Sequence, residues 1–339
     1  METLACAHCG AALTGPVTRV RFPPYAHLGV GVGMLPALLD AGTYAVDPEP
    51  SGPPWRFWGE LAEGEAEARG YQAPVQAVPV GPAGRLLCVP ADATGTVLVR
   101  DRTDGSATMA CAACRRPVGA RYDEWATWQG VWLEPGAVRA APAGPDRPPA
   151  DWTELVRDRS GPRPVDARGC WSHRCEQEAT MTLVDLLLAA DGSPVVFEHR
   201  AAARLLGREL GHYLRTATGP AKRCALHGPG LPLADPHPDL ALVPRHPQTG
   251  EAWPAPPGVR AVPLDVEVWR ELAFADDRRA VRVGGPLRAE LERDDPLPPH
   301  HWRPVFFCTR LVRDTLARQP GVRTSAVRAA LAVRARAPW

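Results

Sequence analysis

The chain has 339 residues, 45% apolar and 23% charged, with a formal net charge of +1. That length and composition predict two globular domains, each able to bury its own core. The near-zero charge gives no whole-chain attraction to nucleic acid or acidic membranes. A single lysine, Lys222, and no isoleucine or asparagine accompany 39 prolines and 31 glycines. This bias points to a GC-rich, bacterial genome, so arginine runs and proline-rich stretches carry less information than usual.

The opening METLACAHCG lacks a basic start followed by an apolar run, so no signal peptide is expected. No uninterrupted apolar stretch reaches the roughly 18 residues of a membrane span. The expectation is a cytoplasmic protein with no membrane partner. Its nine cysteines would then stay largely reduced, which favours metal binding over disulfides.

In chain order, residues 17–22 and 42–46 alternate as strands do. Gly29, Gly31 and Gly33 resemble a phosphate loop superficially but lack its lysine, so a plain loop is expected. Residues 47–58 form a proline-rich excursion carrying Trp55 and Trp58, and 60–69 is the one helix expected in this half. Short strands follow at 85–89, 96–100, 107–110, 118–122, 131–134 and 137–140, the pattern of a small antiparallel β domain. Residues 141–150 read as a linker, dividing a domain 1–140 from a domain 151–339.

In the second half, 178–190 reads as a buried helix, 194–197 as a strand and 201–214 as a helix with interruptions. Residues 227–257 are rich in proline and histidine and are expected to be irregular. Asp265 is placed to cap a helix ending near residue 274. A strand at 303–308 and helices at 310–318 and 323–334 complete an α+β reading.

Two CxxC pairs stand out, Cys6 with Cys9 and Cys111 with Cys114. Each pair puts two sulfurs on one tight turn, and two facing turns complete a tetrahedral, structural zinc site. Cys9 and Cys111 are 102 positions apart, so the metal would tie the first and last parts of one β domain together. The alternatives are a redox pair or unrelated buried cysteines, and neither CxxC opens a helix in the thioredoxin-like setting a redox pair would need.

The stretch after the second pair, Arg115 to Asp123 followed by Gly130-Val131-Trp132-Leu133-Glu134, resembles the end of a β-tent zinc domain. That fold is found in Yippee proteins, the thalidomide-binding domain of cereblon and methionine-R-sulfoxide reductase B. The resemblance covers about residues 1–140 and implies a zinc-clamped scaffold with an insertion near 47–85. It does not bring those proteins' functions with it. Positions matching the aromatic ligand cage fall at Arg100, Ser106, Ala120 and Tyr122, only one of them aromatic. The reductase's nucleophilic cysteine would lie near Trp132 and its histidine near Ala120, and neither is present.

Other candidates are fainter. Tyr122, Trp125, Trp128 and Trp132 are read either as packing beside the metal or as a ligand or partner face. Cys170 with His173 and Cys224 with His227 are both CxxH pairs, a possible second, mixed metal site. His237, His246, His300 and His301 have no matched nucleophile or carboxylate at a telling spacing. Arg310, Arg313, Arg318, Arg323, Arg328, Arg334 and Arg336 form either a solvated helix face or a phosphate-binding patch. The leading expectation is a zinc-stabilised, non-catalytic binding or scaffold protein with an unknown protein or small-molecule ligand. The alternatives are an enzyme with its site in the second domain or between domains, and a nucleic-acid-associated factor using the C-terminal arginines.

Overall fold

The computed structural model describes the chain except for residues 28–34, 50–54, 100–106, 124, 146–147, 158–162, 167, 233, 275–301 and 320–339. It divides into two compact units. The first comprises Met1–Gly70, Pro74–Pro149 and Gln248–Gly250; the second comprises Tyr71–Ala73, Ala150–Pro247 and Glu251–Trp339.

The first unit contains β1 (Glu2–Cys6), β2 (Ala12–Arg19), β3 (Thr43–Val46), β4 (Trp55–Phe57), α1 (Glu65–Ala68), β5 (Ala77–Pro79) and β6 (Leu86–Cys88). It continues with β7 (Thr96–Val99), β8 (Ala107–Cys111), β9 (Pro117–Tyr122), β10 (Gly130–Leu133) and β11 (Val138–Pro142). Nine of these strands form one sheet in the order β11-β1-β2-β3-β6-β10-β9-β8-β7, and β4 pairs separately with β5. Every neighbour in the large sheet is antiparallel except β2 and β3, which run parallel through Thr18–Thr43 and Arg19–Tyr44.

The sheet folds back on itself at Gly95. Its N–H donates to the Leu13 carbonyl (3.0 Å), and its own carbonyl accepts from Ala112 N–H (2.9 Å). A Cβ at this position would stand 1.9 Å from the Ala12 carbonyl oxygen, so only glycine permits the approach. This contact brings the β1–β2 and β8–β9 hairpins together. Along β10, Val131 and Leu133 join the core with Leu4, Leu13, Cys6 and Cys111. The two-residue period of a strand turns Trp132 to the opposite face.

The helix expected at 60–69 is only the four residues of α1, because the chain turns left-handed at Gly64 (φ 78°) and Gly70 (φ 84°). The expected linker begins inside β11, which pairs with β1 as far as Pro142.

The second unit contains α2 (Trp152–Arg157), α3 (His173–Ala190), β12 (Val195–Phe197), α4 (Arg200–Ala202), a π-helical turn at Ala203–Gly207 and α5 (Arg208–Tyr213). It then adds β13 (Lys222–Leu226), β14 (Leu240–Arg245), β15 (Arg260–Asp265), α6 (Val266–Ala273) and α7 (Thr309–Ala317). The four strands form a sheet in chain order, parallel throughout. The molecule thus mixes helix and sheet as expected, but the parallel pairing here was not legible from periodicity. β14 also lies inside the stretch expected to be irregular.

Asp265 caps α6, its Oδ1 accepting from Glu267 N–H (2.9 Å) and Val268 N–H (3.3 Å). Residues 303–308 do not form the expected strand. Their N–H groups go elsewhere: Phe306 to Glu176 Oε1 (3.2 Å) and Cys308 to Thr180 Oγ1 (3.3 Å), both on α3. The glycines of 29–33 and the helix expected at 323–334 lie outside the described residues. No helix among the described residues is long and apolar enough to cross a membrane.

Candidate metal centre

The two CxxC pairs sit on two copies of one turn. After β1, Cys6 N–H donates to Ala11 O (2.8 Å) and Gly10 N–H to Cys6 O (2.9 Å). After β8, Cys111 N–H donates to Arg116 O (2.9 Å) and Arg115 N–H to Cys111 O (2.9 Å). Both turns close on a left-handed residue, Gly10 (φ 76°) and Arg115 (φ 61°). The residue directly after the second cysteine, with positive φ, reverses the chain and brings both sulfurs of each pair to the same side.

The four sulfurs converge. Cys6 Sγ lies 3.8 Å from Cys114 Sγ, Cys9 Sγ lies 3.7 Å from Cys111 Sγ, and all four are within 4.8 Å of one another. A disulfide needs about 2.0 Å, so these are free thiols in contact. A tetrahedron with metal–sulfur bonds of about 2.3 Å has edges of about 3.8 Å, which matches both short pairs. The donor set can therefore hold one metal ion. All four donors come from the protein, leaving no coordination position for water or substrate.

Without a cation the cluster resists losing all four protons. The Cys9 backbone N–H, helped by His8 N–H and neighbouring thiols, outweighs burial and brings Cys6 down to about 7. At Cys9, although the residue is exposed, the Ala11 N–H favours the thiolate but partial desolvation of its sulfur among the neighbouring atoms and the thiols of Cys114, Cys111 and Cys6 prevail and push it up to about 11. A bound divalent ion supplies the missing positive charge and reverses that order. Burial, with Asp92 nearby, raises Cys88 to about 12 and marks it as an inert core thiol.

The CxxH pairs do not assemble. Cys224 is buried in the second unit's core, raised to about 12 by burial and then by Glu198. His173 instead faces Glu176, with Nδ1 3.3 Å from Oε2. Among the described residues the four cysteines are the only group of three or more His, Cys, Asp or Glu donors within reach of one ion. The spacing of Cys170, His173, Cys224 and His227 is real, but β13 carries Cys224 into the apolar interior.

The four aromatic residues do not share a face. Trp128 is buried against Tyr25 (ring centroids 5.8 Å apart). Trp125 is 67% exposed, and Tyr122 lies opposite Gly130 at the end of β9. Trp132 is buried on the sheet face away from the sulfurs, so it does not cover the metal turns.

Around Trp132 lies a cluster that sequence reasoning missed. Asp47, Arg85 and Glu134 extend one row across the ends of β3, β6 and β10, as the register of these strands requires. His27 Nε2 is 2.9 Å from Asp47 Oδ2, and its ring lies 4.7 Å from the Trp132 ring. Arg85 Cζ sits 5.1 Å from the Trp132 centroid, with its Nε 3.3 Å from Glu134 Oε1. Phe22 closes the group edge-on to Trp132 at 5.9 Å. No local spacing links His27, Asp47 and Arg85, so nothing in the sequence announces them.

In the second unit, Arg245 at the end of β14 bonds Glu178 (3.3 Å) and Asp185 (3.2 Å) on α3. His246 is buried, its Nε2 2.9 Å from the Ala150 carbonyl. Of the C-terminal arginines, Arg310 and Arg313 lie 3.5 and 3.6 Å from Asp314. Arg318 donates to Tyr71 Oη (2.7 Å) and stacks on its ring. Arg323, Arg328, Arg334 and Arg336, like His300 and His301, lie outside the described residues. No protein-family model matches the chain, and neither does any curated protein or solved structure.

Proposed function

We propose that the chain is a zinc-stabilised, non-catalytic binding or scaffold protein, with a β-tent-like first unit. The observation that carries this reading is the closed ligand set: four cysteine sulfurs converging within 4.8 Å of one another, which a tetrahedral ion would fill with no position left for a reactant. Sulfur-only tetrahedral donors suit zinc or iron, and two CxxC turns on paired hairpins suit structural zinc best. The β-tent reading is supported by the placement of those turns on the β1–β2 and β8–β9 hairpins of a mostly antiparallel sheet. The reductase chemistry of that fold has no nucleophile here, since Trp132 stands on β10 where one would be needed.

The partner is a protein or small molecule rather than nucleic acid. The described C-terminal arginines support this, because each already engages Asp314 or Tyr71 within the chain. The enzyme alternative keeps one specific observation in its favour, the half-buried His27 bonded to the buried Asp47 beside Arg85 and Trp132. The test compares metal-loaded protein with Cys111→Ser, which loses a ligand. The loaded protein should capture a partner from a bacterial lysate that Cys111→Ser does not, and should show no thiol-dependent turnover of methionine sulfoxide. Turnover that disappears in His27→Ala would favour the enzyme instead.

A further inference from the structure

Four thiolates around a divalent cation leave a net charge of −2 at the surface of the first unit, where Cys9 is exposed. Three arginines flank its two turns. Arg115 and Arg116 follow Cys114 directly, and both are exposed. Arg139 on β11 also points outward, beside Val138, the register partner of Cys6. Its guanidinium lies over the first turn: a Cβ on Gly10 would stand 3.1 Å from Arg139 Nη2. Among the described residues none of these three arginines has a carboxylate partner, unlike Arg310 and Arg313 on α7.

We propose that Arg115, Arg116 and Arg139 are the counter-charge of the metal tetrathiolate and set how readily its exposed ligand, Cys9, is lost to electrophiles. This rests on the metal reading above. The three positive charges offset the dianion with about one charge to spare, too little for a strong polyanion-binding surface. A cation near a thiolate stabilises the anion and lowers its nucleophilicity. At about 8 Å through water, one unit charge changes such a rate about twofold, so three act together about tenfold at low salt. At 1 M salt the Debye length falls to about 3 Å and most of the effect should vanish.

Iodoacetamide tests this because it is neutral. The Cys9 thiolate attacks the methylene carbon, a C–S bond forms, the C–I bond breaks and iodide leaves with the electron pair. The alkylated sulfur is no longer an anionic ligand, and zinc is released to a chromogenic chelator. The triple variant Arg115→Gln, Arg116→Gln, Arg139→Gln should still bind one zinc per chain but release it about tenfold faster than the wild type at low salt. The gap should close in 1 M salt. The triple Arg→Lys variant keeps the charge and should release zinc at the wild-type rate.

Equal rates for wild type and the Gln variant would overturn the counter-charge role while leaving the metal reading intact. Faster release from the Lys variant as well would overturn it too, since guanidinium packing rather than charge would be responsible. If the Gln variant fails to fold, the salt dependence of release from the wild type decides: acceleration by salt supports the proposal and a flat response contradicts it. Wild-type protein without zinc would instead contradict the metal reading itself.

Discussion

Gly10 and Arg115 hold the same place in two copies of one turn, and each bonds its N–H back to the first cysteine of its pair. Only one of them is suited to the left-handed backbone both adopt. A non-glycine residue there costs about 1–2 kcal/mol, partly offset by the greater freedom glycine gains when unfolded. Arg115→Gly in metal-saturated protein at 1 M salt, where the charge of Arg115 is screened, should therefore stabilise the first unit by about 0.5–1 kcal/mol. An unchanged or lower thermal midpoint would mean that the second turn is not the copy described.

Gly95 tests how the fold builds the site. Any side chain at this position meets the backbone of Ala12, which cannot move without parting the two cysteine hairpins. Gly95→Ala should weaken zinc binding as well as stability, although residue 95 touches no ligand. Competition against a chromogenic chelator measures this. Wild-type affinity in a destabilised variant would show that the hairpins are held together by the metal alone.

Asp265 gives a pH dependence. Part of the residue reaches solvent, yet dense packing desolvates its carboxylate, and Glu178 adds repulsion; together they outweigh Arg174 and the two capping N–H groups and raise its pKa. Below the ordinary value near 3.9 the group is protonated whether the chain is folded or not. As pH rises past it, the unfolded chain ionises first, so stability falls until the folded-state pKa is passed. Asparagine caps a helix equally well. Asp265→Asn should be more stable than wild type at pH 7, with the advantage shrinking towards pH 4. Urea titrations across that range check it, and a variant less stable at pH 7 contradicts the sign.

What the sequence revealed and what it hid follow from the range of the interactions. The cysteine turns are local, since four consecutive residues fix each pair, and spacing alone picked out the four cysteines that converge. Asp265 was legible as a cap for the same reason. β14 and β15 were hidden by Pro244 and Pro263, which break a strand pattern, although each proline is tolerated here within a parallel ladder. The segment at 303–308 looked like a strand because its residues are extended and apolar, but α3 side chains take its donors instead of a neighbouring strand. The His27–Asp47–Arg85–Trp132 cluster depends on register across three strands, which no local pattern encodes. The aromatic set near the second CxxC was visible as composition, but strand alternation and the turn before β10 scatter it.

X-ray absorption at the zinc edge of the purified protein tests the central claim most directly. The proposed zinc reading predicts one zinc per chain with four sulfur neighbours at about 2.3 Å and no nitrogen or oxygen bound to the metal. Loss of any one of Cys6, Cys9, Cys111 or Cys114 should change that shell. A mixed nitrogen and sulfur shell, or protein that folds fully with no bound metal, would contradict it.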